Sequence, residues 1–267
     1  MQLGISPCPN DVYVFAGMLL GHVPHDFTVD FEDVQTLNER ADAGVYDAVK
    51  ISYAAYPALK NTYELLPCGG ALGRGCGPLL LMNGAGVFDA EREVLVPGLQ
   101  TTANFLLDFW AGRPLTKKAA PFDVLYRTLL DTPGAQGVVI HEKRFTYAAD
   151  GLTLLVDLGE HWERETGYPI PLGAIVSRPE LVAPLTRQIQ ESLAWSDAHP
   201  KEALALCRNY ADDMDDAVMQ AHIDLYVNEF TRALGPTGEE AVRFFIQRQT
   251  ERLTNGSRPG KIPGMER

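Results

Sequence analysis

A histidine at the end of an apolar run is the first residue in this chain placed for chemistry. Gly137-Val138-Val139-Ile140 reads as a buried strand, and His141 follows at its carboxyl end with polar residues directly after it. In open α/β sheets, ligands settle in the crevice beyond the carboxyl ends of the strands, so an imidazole stepping off such an end meets them. Its ordinary pKa near ~6.5 suits a general base at neutral pH. A strand-end histidine bonded to a backbone carbonyl is the competing reading, and the residue by itself leaves both open. Lys50 and Ser52 stand at a second polar strand end, where Lys50 is open between a ligand contact and an ordinary surface lysine. Thr101 and Thr102 open a helix whose hydroxyls and free N–H groups can bind a carboxylate or phosphate, or simply cap the helix. Asn10, in the stiff turn Ser6-Pro7-Cys8-Pro9-Asn10-Asp11, is a candidate helix N-cap that faces the same sheet. Arg74, among glycines, is open between a structural ion pair and a substrate anchor.

The elements that must position these groups alternate along the first two thirds of the chain. Strands are expected over 3–5, 27–31, 46–52, 79–82, 93–96, 137–140, 152–156 and 174–177. Helical patterns over 12–20, 36–43, 104–110, 122–130 and 158–166 lie between them, which makes an α/β fold. The glycine-dense segment 69–78 lacks the Gly-Lys-Ser/Thr ending of a phosphate loop and leads into a strand, so it reads as a hinge, a ligand-facing loop or a structural turn. From Pro179 onward the pattern is helical only, with Leu181, Leu185, Ile189 and Leu193 forming one apolar stripe. Pro200, an Asp212-Asp213 turn and Gly235-Pro236 divide the remainder into further helices, and the Pro/Gly-rich tail 256–267 is expected to be mobile. The acids Asp212, Asp213, Asp215 and Asp216 lack the glycine and terminal glutamate of a calcium loop and read as a solvated helix start. The order predicts two lobes, residues 1–97 with 171–267 and residues 98–170, around a central ligand cleft.

Composition narrows the function classes. With 267 residues and 46% apolar content the chain can bury a large core. A formal charge of -12 argues against a nucleic-acid partner, because phosphate binding draws on clustered Lys and Arg. A small anionic substrate must then be met by local positive groups and backbone donors. The amino terminus has no basic segment before a long apolar stretch, and no run reaches the ~20 residues a membrane helix needs, so a cytoplasmic protein away from membranes is expected. Cys8, Cys68, Cys76 and Cys207 form no C-x-x-C pair, which speaks against zinc or disulfides and for a reducing compartment. No sequence feature fixes the oligomeric state, and a homodimer stays open.

Collinear motifs run nearly end to end and carry a resemblance. They are Ser6-Pro7-Cys8-Pro9-Asn10-Asp11, Glu32-Asp33-Val34 with Thr36-Leu37-Asn38, and Lys50-Ile51-Ser52-Tyr53-Ala54-Ala55-Tyr56. Gly69-Gly70-Ala71-Leu72-Gly73-Arg74-Gly75, Pro97-Gly98 with Thr101-Thr102-Ala103, His141-Glu142-Lys143-Arg144-Phe145-Thr146-Tyr147, Asp157-Leu158-Gly159 with Trp162, and Pro169-Ile170-Pro171-Leu172-Gly173 continue them. In these the chain resembles the 1,4-dihydroxy-6-naphthoate synthases of the futalosine route to menaquinone. The resemblance implies a two-lobed, periplasmic-binding-protein-like fold of type II used as a cytoplasmic enzyme. It implies a carbon–carbon lyase acting on cyclic dehypoxanthinylfutalosine with no metal or organic cofactor. His141 then matches the family's catalytic histidine, and Asn10, Lys50, Ser52, Thr101, Thr102 and Arg74 are the candidates for holding substrate. The alternatives are chorismate dehydratase, the sister enzyme of the same architecture, and a small-anion-binding protein without chemistry.

Overall fold

The computed structural model describes residues 1–211 and 214–254. Its strands are β1 (Gln2–Ile5), β2 (Thr28–Phe31), β3 (Ala48–Ser52), β4 (Glu64–Leu65), β5 (Ala71–Gly73), β6 (Leu79–Asn83), β7 (Val94–Val96), β8 (Lys117–Ala119), β9 (Gln136–Val139), β10 (Leu152–Asp157) and β11 (Ile170–Ser177). The helices are α1 (Pro9–Leu19), α2 (Val34–Asp42), α3 (Tyr56–Leu59), α4 (Thr102–Ala111), α5 (Phe122–Asp131), α6 (Lys143–Thr146), α7 (Leu158–Thr166), α8 (Val182–Ala198), α9 (Pro200–Arg208), α10 (Asp216–Tyr226), α11 (Glu229–Arg232) and α12 (Gly235–Thr254). One sheet has the order β2-β1-β3-β11-β4, with β5 also on β11, and the other has β10-β6-β9-β7-β8. In the first, β1, β2 and β3 run parallel and the long β11 returns antiparallel to β3.

The lobe boundaries differ from the sequence expectation. β6 and β7, expected in the larger lobe, lie in the second sheet, so the chain first crosses between β5 and β6, ahead of Pro97-Gly98. The apolar pattern of Leu79-Leu80-Leu81-Met82 says that a strand is buried; only its pairing with β9 and β10 says where. At this crossing Gly77 backs directly onto Gly159: a Cβ on Gly77 would lie 2.3 Å from the Gly159 Cα. The short strands β4, β5 and β8 have no counterpart in the sequence expectation, being too brief to show a period. The Asp212-Asp213 turn and the tail 256–267 fall outside the described residues. Asp215 caps α10 by accepting from Ala217 N at 2.7 Å, and Asp216 pairs with Arg208, which gives these two acids helix-start roles.

One apolar cluster runs through both lobes. It joins Val49 and Ile51 of the first sheet to Leu80, Val96 and Val138 of the second through Phe105, Trp162 and Phe245. The other face of the first sheet packs Leu3 and Ile5 against Phe15 of α1 and Ile189 and Leu193 of α8, which accounts for the stripe seen in the sequence. α12 straps the lobes: Gln249 donates to Ala54 O at 2.8 Å, and Arg252 pairs with Asp108, which also takes Lys117 at 2.5 Å. Among the described residues no helix is long and apolar enough to cross a membrane.

Candidate active site

A cleft partly open to solvent lies between the two sheets, and residues from both lobes form its walls. From the second lobe comes His141, just past β9. Its φ of 59° is the only positive value at a non-glycine among the described residues. A bulky side chain in that left-handed region is strained, and such strain concentrates at functional sites. From the first lobe comes Cys8, whose Sγ lies 3.2 Å from His141 Nδ1. Phe122 meets the imidazole edge-on at 5.2 Å, and Nε2 has no partner among the described residues. Burial works to lower the imidazole pKa, but the Cys8 sulfur, Glu142 and Asp11 outweigh it, and the pKa is pushed up to about 9.

Cys8 reaches this position because α1 begins earlier than an Asn10 cap would require. Cys8 is the N-cap, with extended backbone, and its carbonyl accepts from Asp11 N and Val12 N at 3.0 Å each. Pro9 sits at N1, where its missing N–H removes no bond. This corrects the expectation for Asn10: its side chain is free of capping and instead joins a buried chain. Asn10 Nδ2 donates to Asp11 Oδ1 at 2.8 Å, and Asn10 Oδ1 faces His222 Nε2 at 2.9 Å. Asp11 also takes Ser6 Oγ at 2.6 Å and the Lys50 ammonium. Lys50 is thus neither a surface lysine nor a free cation; it is 5% exposed and paired. A buried carboxylate with three donors satisfies the charge that burial makes expensive.

The opposite wall is the start of α4. Thr101 caps it, accepting from Asn104 N at 3.2 Å and donating to Gly98 O at 2.7 Å. Thr102 Oγ1 donates to Leu172 O at 2.9 Å and accepts from Ala54 N, tying the lobes together. Both hydroxyls are therefore engaged, Thr101 as the helix cap and Thr102 between the lobes. The backbone N–H groups of Thr102 and Ala103, which also line the cavity, have no acceptor among the described residues. A helix start with free N–H groups is an anion site. Ser52 stands nearby, its Oγ accepting from Asn38 Nδ2 at 3.2 Å, which leaves the hydroxyl proton for a ligand.

Of the sequence candidates, His141, Asn10, Lys50, Ser52, Thr101 and Thr102 converge on this cavity. Arg74 does not. It is half exposed, donates to Gly167 O at 2.8 Å and pairs with Glu163 at 3.6 Å, so of its two readings the structural ion pair holds. The glycine-dense segment splits: Ala71 to Gly73 forms a strand, whereas Cys76, Gly77 and Pro78 face the cavity. Arg144 lines it too, with its guanidinium on Gly77 O and Asp157, which anchors the loop carrying His141. Sequence reasoning missed Cys8, Asp11 and His222. The first two stand in the quoted Ser6–Asp11 motif; His222 had no signal beyond its residue type.

Comparison with known proteins gives this geometry a family. The profile described as menaquinone biosynthesis matches residues 1–251. The chain belongs to the menaquinone biosynthesis family. Within it, a protein of Streptomyces coelicolor named 1,4-dihydroxy-6-naphtoate synthase is 41% identical over 278 residues, covering 99% of this chain and 95% of that protein. The Thermus thermophilus protein of the same name is 41% identical over 264 residues, with 95% of each covered. These names favour the synthase reading over chorismate dehydratase or a binding protein, and place an enzyme of menaquinone biosynthesis in this family fold. A crystal structure from Archaeoglobus fulgidus superposes with a TM-score of 0.87 at 28% identity, covering 95% of this chain and 97% of that one. The alkanesulfonate-binding protein of Xanthomonas axonopodis pv. citri gives 0.69 at 13% identity, with 98% and 94% covered. The periplasmic aliphatic sulphonate binding protein of Escherichia coli gives 0.62 at 12%, with 100% and 94% covered. Those two show the fold alone, and it is periplasmic-binding-protein-like.

Proposed function

We propose that this chain converts cyclic dehypoxanthinylfutalosine into 1,4-dihydroxy-6-naphthoate, expelling the sugar-derived fragment, as a cytoplasmic carbon–carbon lyase without metal or organic cofactor. The observation that carries the reading is a strained histidine with an unpartnered Nε2, set in a cavity whose other wall is a helix start with two free N–H groups. The substrate has the matching parts, an aryl carboxylate for the α4 start and Ser52, and a sugar-derived ring for His141.

The tautomer follows from the partner. For Nε2 to accept a proton, Nδ1 must carry one, and it then donates to the Cys8 sulfur. As Nε2 takes a proton from a hydroxyl or acidic C–H of the sugar-derived ring, imidazolium develops beside that sulfur, Asp11 and Glu142, the groups that raise its pKa. Carbon–carbon cleavage then delivers electrons into a ring that becomes aromatic. The protein supplies position, a base and exclusion of water. Because Cys8 and His141 come from different lobes, the base is complete only when the lobes meet.

Purified protein given cyclic dehypoxanthinylfutalosine and chorismate separately tests this. Formation of the naphthoate from the first is expected. Chorismate consumption with no action on the first overturns the reading in favour of a dehydratase, and binding without turnover favours a non-catalytic protein. His141→Ala is expected to lose at least about 100-fold in turnover, the lower range for general base catalysis, with substrate binding by calorimetry mostly retained.

A further inference from the structure

The loop that carries His141 is held by little apolar packing. No residue of the single-turn helix α6 is buried, and Phe145 is 39% exposed. Yet this loop keeps His141 at a positive φ, a conformation that persists only where the surroundings enforce it. Arg144 reaches from the loop back to the sheet. Its guanidinium donates to Gly77 O and, at 3.1 Å, to Asp157 Oδ2, and the arginine side chain is mostly buried.

Those two acceptors lie on fixed structure, at the sheet edge from which His141 departs. β6 runs between β9 and β10 and antiparallel to both, so its start meets their carboxyl ends. Leu79 pairs with Val139 on one side and with Asp157 on the other, and Gly77 comes shortly before it. Asp157 is also the cap of α7, its Oδ1 accepting from Gly159 N at 2.9 Å and Glu160 N at 3.0 Å. The planar fork of an arginine holds two such acceptors in one geometry, which the point charge of a lysine does not. We propose that Arg144 is a positioning residue for the base: by clamping its loop onto the start of β6 and the end of β10, it holds the strained imidazole of His141 against Cys8. Because Gly77 lies where the chain crosses between the lobes, the same clamp ties the base to that crossing. Its effect on turnover rests on the functional reading above; its effect on His141 does not.

Two substitutions test the clamp. Arg144→Lys keeps the charge and loses the fork. In Asp157→Asn the amide oxygen can still cap α7, but its N–H groups then face Arg144, so that bond alone is broken; Asp157 is not part of the cleft wall. Neither change touches the titratable groups around the ring, which are Cys8 and Asp11 at the start of α1, Glu142 beside it and His222 on α10. In full-length protein with ¹⁵N-labelled histidine and no ligand, the His141 signal, identified by its absence in His141→Ala, should titrate near 9 when unsubstituted. An imidazole that swings away from the sulfur toward solvent loses both the influence of Cys8 and its burial, so in both variants the pKa should move down toward the ordinary ~6.5. For naphthoate formation, Arg144→Lys is expected to lower kcat by about 10- to 100-fold with KM within about threefold, the signature of a misplaced base, and Asp157→Asn should show a smaller loss of the same kind. An unmoved His141 pKa in both variants overturns the inference, as does a loss confined to KM, which would make Arg144 a holder of substrate. If Arg144→Lys does not fold, Asp157→Asn decides by the same two readouts. A shifted His141 pKa in a protein that forms no naphthoate is the separate failure of the functional reading, with the clamp intact.

Discussion

Replacing Cys8 by alanine removes the sulfur 3.2 Å from His141 Nδ1 and, with it, the largest of the influences that raise the imidazole pKa. That pKa stands at about 9 against an ordinary 6.5. The difference corresponds to about 3 kcal/mol of preference for the imidazolium, at ~1.4 kcal/mol per pKa unit. At pH 7 a base of pKa 9 is free of its proton in about 1% of molecules, and one of pKa 6.5 in about 75%. Glu142 and Asp11 remain in the variant, but so does the burial that disfavours the charged ring, so the pKa is expected to fall well below 9. The assay is kcat/KM for naphthoate formation from pH 5.5 to 10. The unsubstituted protein should rise through an apparent pKa near 9. Cys8→Ala should rise earlier and reach a lower plateau, since a weaker base is more often available but removes its proton less readily, and the two curves should cross. Cys8→Ser, which keeps a hydrogen-bonding atom without the thiol, should lie between them. A Cys8→Ala profile with the same apparent pKa, scaled down in rate, would show that Cys8 only packs beside His141 and would refute the reasoning.

The remaining predictions concern what holds the site. Asp11→Asn leaves the buried Lys50 ammonium without its counter-charge and should cost about 3–5 kcal/mol in urea unfolding; a change within error would mean the pair is solvated. Gly77→Ala drives a methyl against the Gly159 backbone at the crossing between lobes, and about 1–3 kcal/mol or more of destabilisation is expected by thermal or chemical denaturation. His222 is neutral in the folded protein down to about pH 3, whereas unfolded chains protonate histidine below ~6.5, so stability present at neutral pH falls as pH drops through that window. By pH 5 its share of the loss is about 2 kcal/mol, and the pH 7 to pH 5 difference in unfolding free energy should shrink by about that much in His222→Gln. An identical pH dependence in the variant would place His222 in contact with solvent.

The alternation of apolar runs and helical periods determines the α/β class, and polar residues stepping off strand ends mark His141, Lys50 and Ser52 from the sequence alone. These are local properties: a residue's place on a strand follows from its neighbours within a few positions. The Ser6–Asp11 and Thr101–Ala103 segments are legible for the same reason, as stiff helix starts. Which sheet a strand joins is not local, and so the sequence puts β6 and β7 in the wrong lobe, although it identifies both as strands. Arg74 is undecidable from sequence because its partner, Glu163, is reached only through the fold. The tertiary structure alone decides the chemistry of the site. Cys8 and His141 are 133 residues apart, and Asn10 and His222 are 212 apart, yet each pair is within hydrogen-bonding distance. No periodicity encodes such meetings. They result from two lobes packing on one core, and that packing gives His141 the sulfur that sets its basicity and buries His222 against Asn10.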